Sequence, residues 1–361
     1  MTVPVGADGV LGLYSAVGDA FAGRRLGFGR RRAALAARFA RHRGADAAGI
    51  AASWVAGALA EIGALGIVVG ADVPSPARLN AFADAPLRGA HLIAAFPGLP
   101  SHAADIVRWY REHDDGTGIP DRLRWDGIPA DAAALGIVHA FLEALEDPAE
   151  PREPLEALFA LAAESGRRFR VELVRAFRAF ADASAADWDA PLEPELPALD
   201  EDAELARLAA RIDDRDSTTA GRSERLAASA GALAERLGLD AAEGARLARL
   251  LALGRAAEAV PPDDYDPLSR FGREHRSAVA RRAAALAGSV PRYAADAPHL
   301  AASGAWFEEG GQDRRAAVLA LAVAADAIRP ADAVRRLTAA AGTQLDPEVT
   351  RAYLAGLGTP T

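Results

Sequence analysis

The sequence contains no cysteine and no lysine. The missing cysteines exclude disulfides and thiolate metal sites and fit a reducing compartment such as the cytoplasm. The missing lysines leave arginine to supply all 41 basic side chains, a bias typical of GC-rich coding that carries no functional information. Positive charge is also the minority: 50 acidic residues give a net charge of −9, which argues against nonspecific nucleic-acid binding. Aromatic residues make up only 6 %, while hydrophobic content reaches 51 % and alanine dominates. That balance favours helices packed through small side chains. No segment alternates polar and apolar residues long enough to predict a sheet. The opening MTVPVGADGV lacks the basic start and apolar run of a secretory signal, so none is expected. Only one long apolar run exists, residues 47–71, and Glu61 is its single charge. A carboxylate in mid-span is costly in lipid and the run is rich in Ala and Gly, so it reads as a buried core helix with no membrane partner.

What is present is helical periodicity. Apolar spacing predicts helices over 33–44, 48–62, 86–96, 101–112 and 130–147, then a pair over 153–182. A connection through Val73, Pro74, Ser75 and Pro76 separates the second and third, and Pro148 and Pro151 stop the fifth. Residues 183–216 are acidic and contain Pro191, Pro194 and Pro197, the composition of a linker whose second half could be helical. The 361 residues therefore divide into a domain over 1–182, a linker over 183–216 and a shorter domain over 217–361.

The two halves share a pattern. Setting Gly166 on Gly342 places Phe169 on Leu345, Glu172 on Glu348, Leu173 on Val349, Ala176 on Ala352 and Phe177 on Tyr353. A match that spans a glycine break between two helices points to a duplicated helical domain.

The stretch 107–129, VRWYREHDDGTGIPDRLRWDGIP, resembles the core of the HD-GYP family of metal-dependent phosphohydrolases. Asp115, Gly116, Thr117, Gly118, Ile119 and Pro120 fill the family's Asp-Gly-x-Gly-Tyr-Pro loop, and Asp126, Gly127, Ile128 and Pro129 close it. Near the C-terminus, Gly342 to Pro347 is similar to the family's Gly-Thr-Gln-Phe-Asp-Pro. The resemblance implies an all-α fold of two tandem HD-GYP-like helical bundles.

It also implies metal ligands that this chain mostly lacks. The family's His-Asp pair falls on Ala60 and Glu61, its His-Pro step on Ala85 and Pro86, and its adjacent histidines on Tyr110 and Arg111. Glu112 is kept, and the last aspartate position is His139. In the second half the pair falls on Leu251 and Ala252, the last ligand on Val323, and the Asp-Gly-x-Gly-Tyr-Pro loop is missing. Two or three divalent ions normally activate water in this chemistry, and each needs converging donors. Alanine, leucine and valine offer none, and Arg111 brings a fixed cation. The expectation is no cofactor, with Arg111 paired to Glu61 or Glu112. The alternative is a single divalent ion, iron or manganese, on Glu61, Glu112 and His139.

Other candidates are weaker. Arg24, Arg25, Arg30, Arg31 and Arg32 could contact an anion, but a solvated face is the preferred reading. His42, His91, His102, His275 and His299 show no ligand spacing, and His113 reads as loop packing beside Asp114 and Asp115. Asp115, Gly116, Gly118 and Pro120 suit a sharp reversal, and in the family this loop lines the substrate cleft and contacts partner domains. The functional expectation is a catalytically inactive HD-GYP-like regulatory or interaction module in bacterial cyclic-dinucleotide signalling. It would have a protein partner and a cyclic dinucleotide or other phosphate as ligand. The alternative is a working cyclic di-GMP phosphodiesterase or phosphohydrolase with an altered site.

Overall fold

The structure, a computed structural model, describes residues 9–65, 82–147, 149–184, 192, 194–196, 198–214, 217–256 and 266–357. It is all-α: no strand occurs among the described residues, only two isolated bridges. Two compact units divide between Leu199 and Asp200.

The first unit contains α1 (Val10–Phe21), α2 (Phe28–His42), α3 (Ala47–Leu59), α4 (Ala85–Ala94), α5 (His102–Trp109), α6 (Ala130–Leu145), α7 (Pro154–Ala163) and α8 (Val171–Ser184). The sequence reading omitted α1. Its residues 10–19 are all buried, so it has no polar face to create a helical period, and Gly9 gives it no side-chain cap. The reading also began α2 five residues late. Asp19, fully buried, accepts hydrogen bonds from the backbone of Gly27 and Gly29 (3.0 Å each), which starts the helix at Phe28. α3 is the apolar run, capped by Asp46, whose carboxylate accepts from Gly49 N at 2.8 Å. The stretch Ala47–Ala64 is long and apolar enough to cross a membrane, but 78 % of it is buried inside the unit. It packs against α2 on one side and α5 on another.

The second unit contains α9 (Glu201–Asp213), α10 (Arg222–Arg236), α11 (Ala241–Leu253), α12 (Arg270–Gly288), α13 (Ala297–Ala302), α14 (Arg314–Ala327), α15 (Pro330–Ala340) and α16 (Pro347–Gly356). The expected linker is therefore too long at its C-terminal side. Asp200 caps α9, and Leu205, Leu208, Ala209 and Ile212 bury one stripe of it against α10 and α11. Residues 185–191, 193, 197 and 215–216 of the expected linker lie outside the described residues, as does the Val73–Pro76 connection.

Local geometry repeats between the units. Gly166 has φ +78° and donates to Phe169 O at 2.7 Å; Gly342 has φ +87° and donates to Leu345 O at 2.8 Å. Each glycine sits between two helices, α7 and α8 or α15 and α16, as expected of a left-handed stop. Each turn also receives a preceding loop. Asp114 N and Asp115 N donate to Arg168 O and Arg167 O, just as Phe307 N and Glu308 N donate to Gln344 O and Thr343 O. So although the second half lacks the Asp-Gly-x-Gly-Tyr-Pro sequence, it keeps the docking of that segment.

Close backbone approach repeats as well. A Cβ on Gly63 would lie 1.8 Å from Ala85 O, and one on Gly254 2.0 Å from Val279 O. Both contacts are with helix backbone that cannot move aside cheaply. Gly63→Ala and Gly254→Ala should each cost about 3 kcal/mol or more, whereas Gly166→Ala, limited to its positive φ, should cost about 1 kcal/mol. Chemical denaturation measures this ordering; equal costs at all three positions would contradict it.

Candidate functional site

The residues expected at the site converge in the first unit around Glu61, which follows α3 and is 2 % exposed. Arg111, just beyond α5, points one guanidinium nitrogen at both carboxylate oxygens, 3.1 and 3.2 Å away. Its Nε donates to the Tyr110 hydroxyl at 2.7 Å, and that hydroxyl faces Ala60 O at 3.4 Å. Of the two partners expected for Arg111, the structure selects Glu61.

Two further arginines reach the same carboxylate. Arg32 Nη1 lies 3.5 Å and Arg24 Nη2 3.9 Å from Glu61 Oε1. Arg32 is fully buried; its Nε donates to Gly57 O at 2.7 Å, and its Nη1 lies 3.0 Å from His139 Nδ1. Both guanidinium groups lie against the Phe28 ring, 5.2 and 5.3 Å from its centroid. The solvated-face reading of the arginine cluster is therefore wrong for Arg24 and Arg32. The early start of α2 turns Arg32 inward, which the periodicity of 33–44 alone could not reveal.

His139 on α6 sits beneath this cage, with Nε2 3.7 Å from Glu61 and 3.2 Å from Glu143 one turn along. Glu143, which the sequence reading missed, is also paired with Arg24. The i,i+4 spacing from His139 was its available signal. Glu112 does not join the cluster. Its carboxylate accepts from Asp121 N at 2.6 Å and Leu123 N at 2.9 Å, holding the exit of the loop. The expected trio of Glu61, Glu112 and His139 is thus split by the loop's demand for a backbone acceptor.

The charges follow from these distances. Burial works to raise the Glu61 carboxyl, but Arg111, His139, Arg32 and Arg24 together hold it down at about 2. Burial similarly opposes the charge on Glu143, and His139 and Arg24 hold that carboxyl well below the usual range. His139 is lowered, chiefly by burial and despite Glu143, so it is neutral at pH 7. Tyr110 is pushed up to about 12 by burial. Asp19, close enough to feel Glu61, is raised to about 6, also by burial.

A divalent ion does not fit this arrangement. Ala60 and Ala85 are buried and offer no donor, and the carboxylate of Glu61 faces three guanidinium groups. Among the described residues no group of three or more histidine, cysteine or acidic side chains is disposed to hold a metal.

The loop itself is well formed. The Asp115 carboxylate accepts from Thr117 N at 2.9 Å and from its hydroxyl at 2.6 Å, and Gly116 takes φ +78°. A Cβ on Gly118 would strike the backbone of Arg111, Glu112 and His113, so Gly118 serves close packing rather than a special φ. The Ile119–Pro120 bond is cis. His113 Nδ1 lies 3.0 Å from the Thr117 hydroxyl.

No family profile matches the chain, and no curated protein matches it in sequence. In three dimensions the chain is similar to a cyclic GMP-AMP-specific phosphodiesterase from V. cholerae, V-cGAP3. The TM-score is 0.67 at 17 % sequence identity, with 99 % of each chain covered. The two share a fold over their whole length.

The arginine cage makes stability pH-dependent in a defined direction. Glu61 has a folded pKa near 2 against an ordinary 4.5, so its contribution is complete above about pH 4.5 and is lost as pH falls toward 2. Glu61→Gln should flatten the acid limb of stability by about 3 kcal/mol over that window. At pH 7, Arg111→Met should cost about 3 kcal/mol by leaving a buried carboxylate short of its main partner. Adding Glu61→Gln should recover part of this loss. Additive losses in the double-mutant cycle would show that the two side chains do not act as a pair.

Proposed function

We propose that the protein is a non-catalytic relative of the HD-GYP phosphodiesterases. It acts as a regulatory or interaction module in bacterial cyclic-dinucleotide signalling, in the cytoplasm. The observation that carries this reading is Glu61 held by Arg111, Arg32 and Arg24 where the related enzymes hold metal. Hydrolysis of a phosphodiester by this fold needs water made nucleophilic by metal and charge neutralised at the phosphoryl group. Three guanidinium groups could neutralise phosphate charge, but they have no lone pair with which to activate water. The shared fold with V-cGAP3, whose substrate is cyclic GMP-AMP, supports a cyclic dinucleotide as ligand class. The intact loop at 115–120 supports a surface kept for recognition by a protein partner.

A second reading rests on His139, whose Nε2 lies 3.7 Å from Glu61 and 3.2 Å from Glu143. These groups would be the core of an altered hydrolytic site.

Two measurements separate the readings. Purified protein should carry less than about one equivalent of iron, manganese or zinc, and chelators should leave its melting temperature unchanged, because a tightly bound ion would stabilise the fold by linkage. Cyclic GMP-AMP and cyclic di-GMP should be hydrolysed no faster than background with added manganese. Turnover that Glu61→Ala or His139→Ala abolishes would overturn the non-catalytic reading and establish the second.

A further inference from the structure

The two helix pairs at Gly166 and Gly342 bury the same residues and expose different ones. Their common register sets Ala157 on Ala333 and Leu161 on Leu337, all four buried. In α7 this stripe packs on α6 and α8. The outer faces diverge. Leu155 and Phe159, 59 % and 58 % exposed, fall on Ala331 and Arg335, and Ala162 falls on Thr338. The α15 face is a solvated one, where Asp332 pairs with Arg335 at 2.9 Å and with Arg329 at 3.6 Å. The α7 face is an apolar row of Leu155, Phe159, Ala162 and Ala163, all exposed, at the i, i+4, i+7 and i+8 spacing of one helix side. Because α15 is held by the same buried residues without such a row, the row on α7 is surplus to the fold and marks a contact surface.

The row is complementary to itself. Leu155 lies toward the start of the ten-residue helix, Phe159 near its middle, and the small Ala162 and Ala163 at its end. A second α7 laid antiparallel, with the two Phe159 rings at a twofold axis, seats each Leu155 on the partner's Ala163. Charge follows the same direction. The acids Glu150, Glu153 and Glu156 outnumber Arg152 at the start, and Arg167 and Arg168 outnumber Glu164 in the turn beyond the end. An antiparallel copy brings each acidic end to a basic one and sets the helix dipoles against each other favourably.

We infer that α7 is a self-association face, covered in solution by the α7 of a second copy of this chain in an antiparallel, twofold pair. A ten-residue helix is about 15 Å long, so the contact falls below the roughly 800 Å² per partner of a stable interface. The dimer is therefore weak and forms with rising concentration. The assignment goes beyond the signalling reading above, because it uses no residue of the Glu61 cluster and holds whether or not that site is catalytic.

The test is sedimentation of the full chain between about 5 and 500 µM. The average mass should rise from one chain toward two. Phe159→Arg, which copies the residue that α15 carries, should weaken association at least ~10-fold and leave the melting temperature within about 2 °C. Val334→Arg on the α15 face should leave association within about twofold. Disulfide trapping checks the geometry, since the chain has no cysteine of its own. With Leu155→Cys and Ala163→Cys together, the two thiols of one helix stand about 12 Å apart and cannot join, so mild oxidation should give a covalent dimer. Ala331→Cys with Ala339→Cys, the equivalent positions of α15, should give none. A chain that stays monomeric up to about 500 µM would overturn the inference. So would a dimer that Phe159→Arg leaves intact, or one that the cysteines at 155 and 163 fail to trap.

Discussion

The first unit depends on one buried carboxylate. Glu61 emerges from the end of an apolar helix into a region with almost no solvent, and an uncompensated charge there would destabilise the fold severely. Three arginines from three separate places in the chain converge to prevent this. Arg24 lies in the connection after α1, Arg32 lies on α2, and Arg111 follows α5. Asp19 sets the start of α2 and thereby aims Arg32. Glu112 fixes the loop that follows Arg111. The ion cluster thus ties four elements together, and the loop's geometry is part of the same arrangement.

The two units solve the same problem in opposite ways. Where the resemblance places metal donors, the first unit has long cationic side chains that contact Glu61, Glu143 and His139. The second unit carries Leu251, Ala252 and Val323 there, and all three line one small pocket. The fifth residue of α2 is the inward Arg32, and the fifth residue of α10 is Leu226.

Much of this was legible in the sequence, and the misses have physical causes. Helix positions followed from apolar spacing and from glycine and proline punctuation, and the Gly166 and Gly342 turns adopt the conformation their residue type predicts. α1 was hidden because a helix buried on every side has no period. Arg111 could be assigned to a carboxylate because a cation in a buried ligand position must be paired. Arg24 and Arg32 could not be placed, since five arginines in nine residues look like a solvated surface until a distant aspartate fixes the helix start. Glu112 was grouped with Glu61 by family analogy, but two backbone amides of the following loop claim its carboxylate.

The choice of cation has a consequence for control. The three cations gathered on Glu61 are all guanidinium groups, and the chain contains no lysine at all. A guanidinium stays protonated at any pH a cell reaches, and it lacks the primary amine that acetyl-transfer enzymes modify. The positive charge that these three arginines bring to Glu61 is therefore fixed once the chain is made. Neither proton concentration in the cellular range nor lysine acylation can turn those arginine charges off.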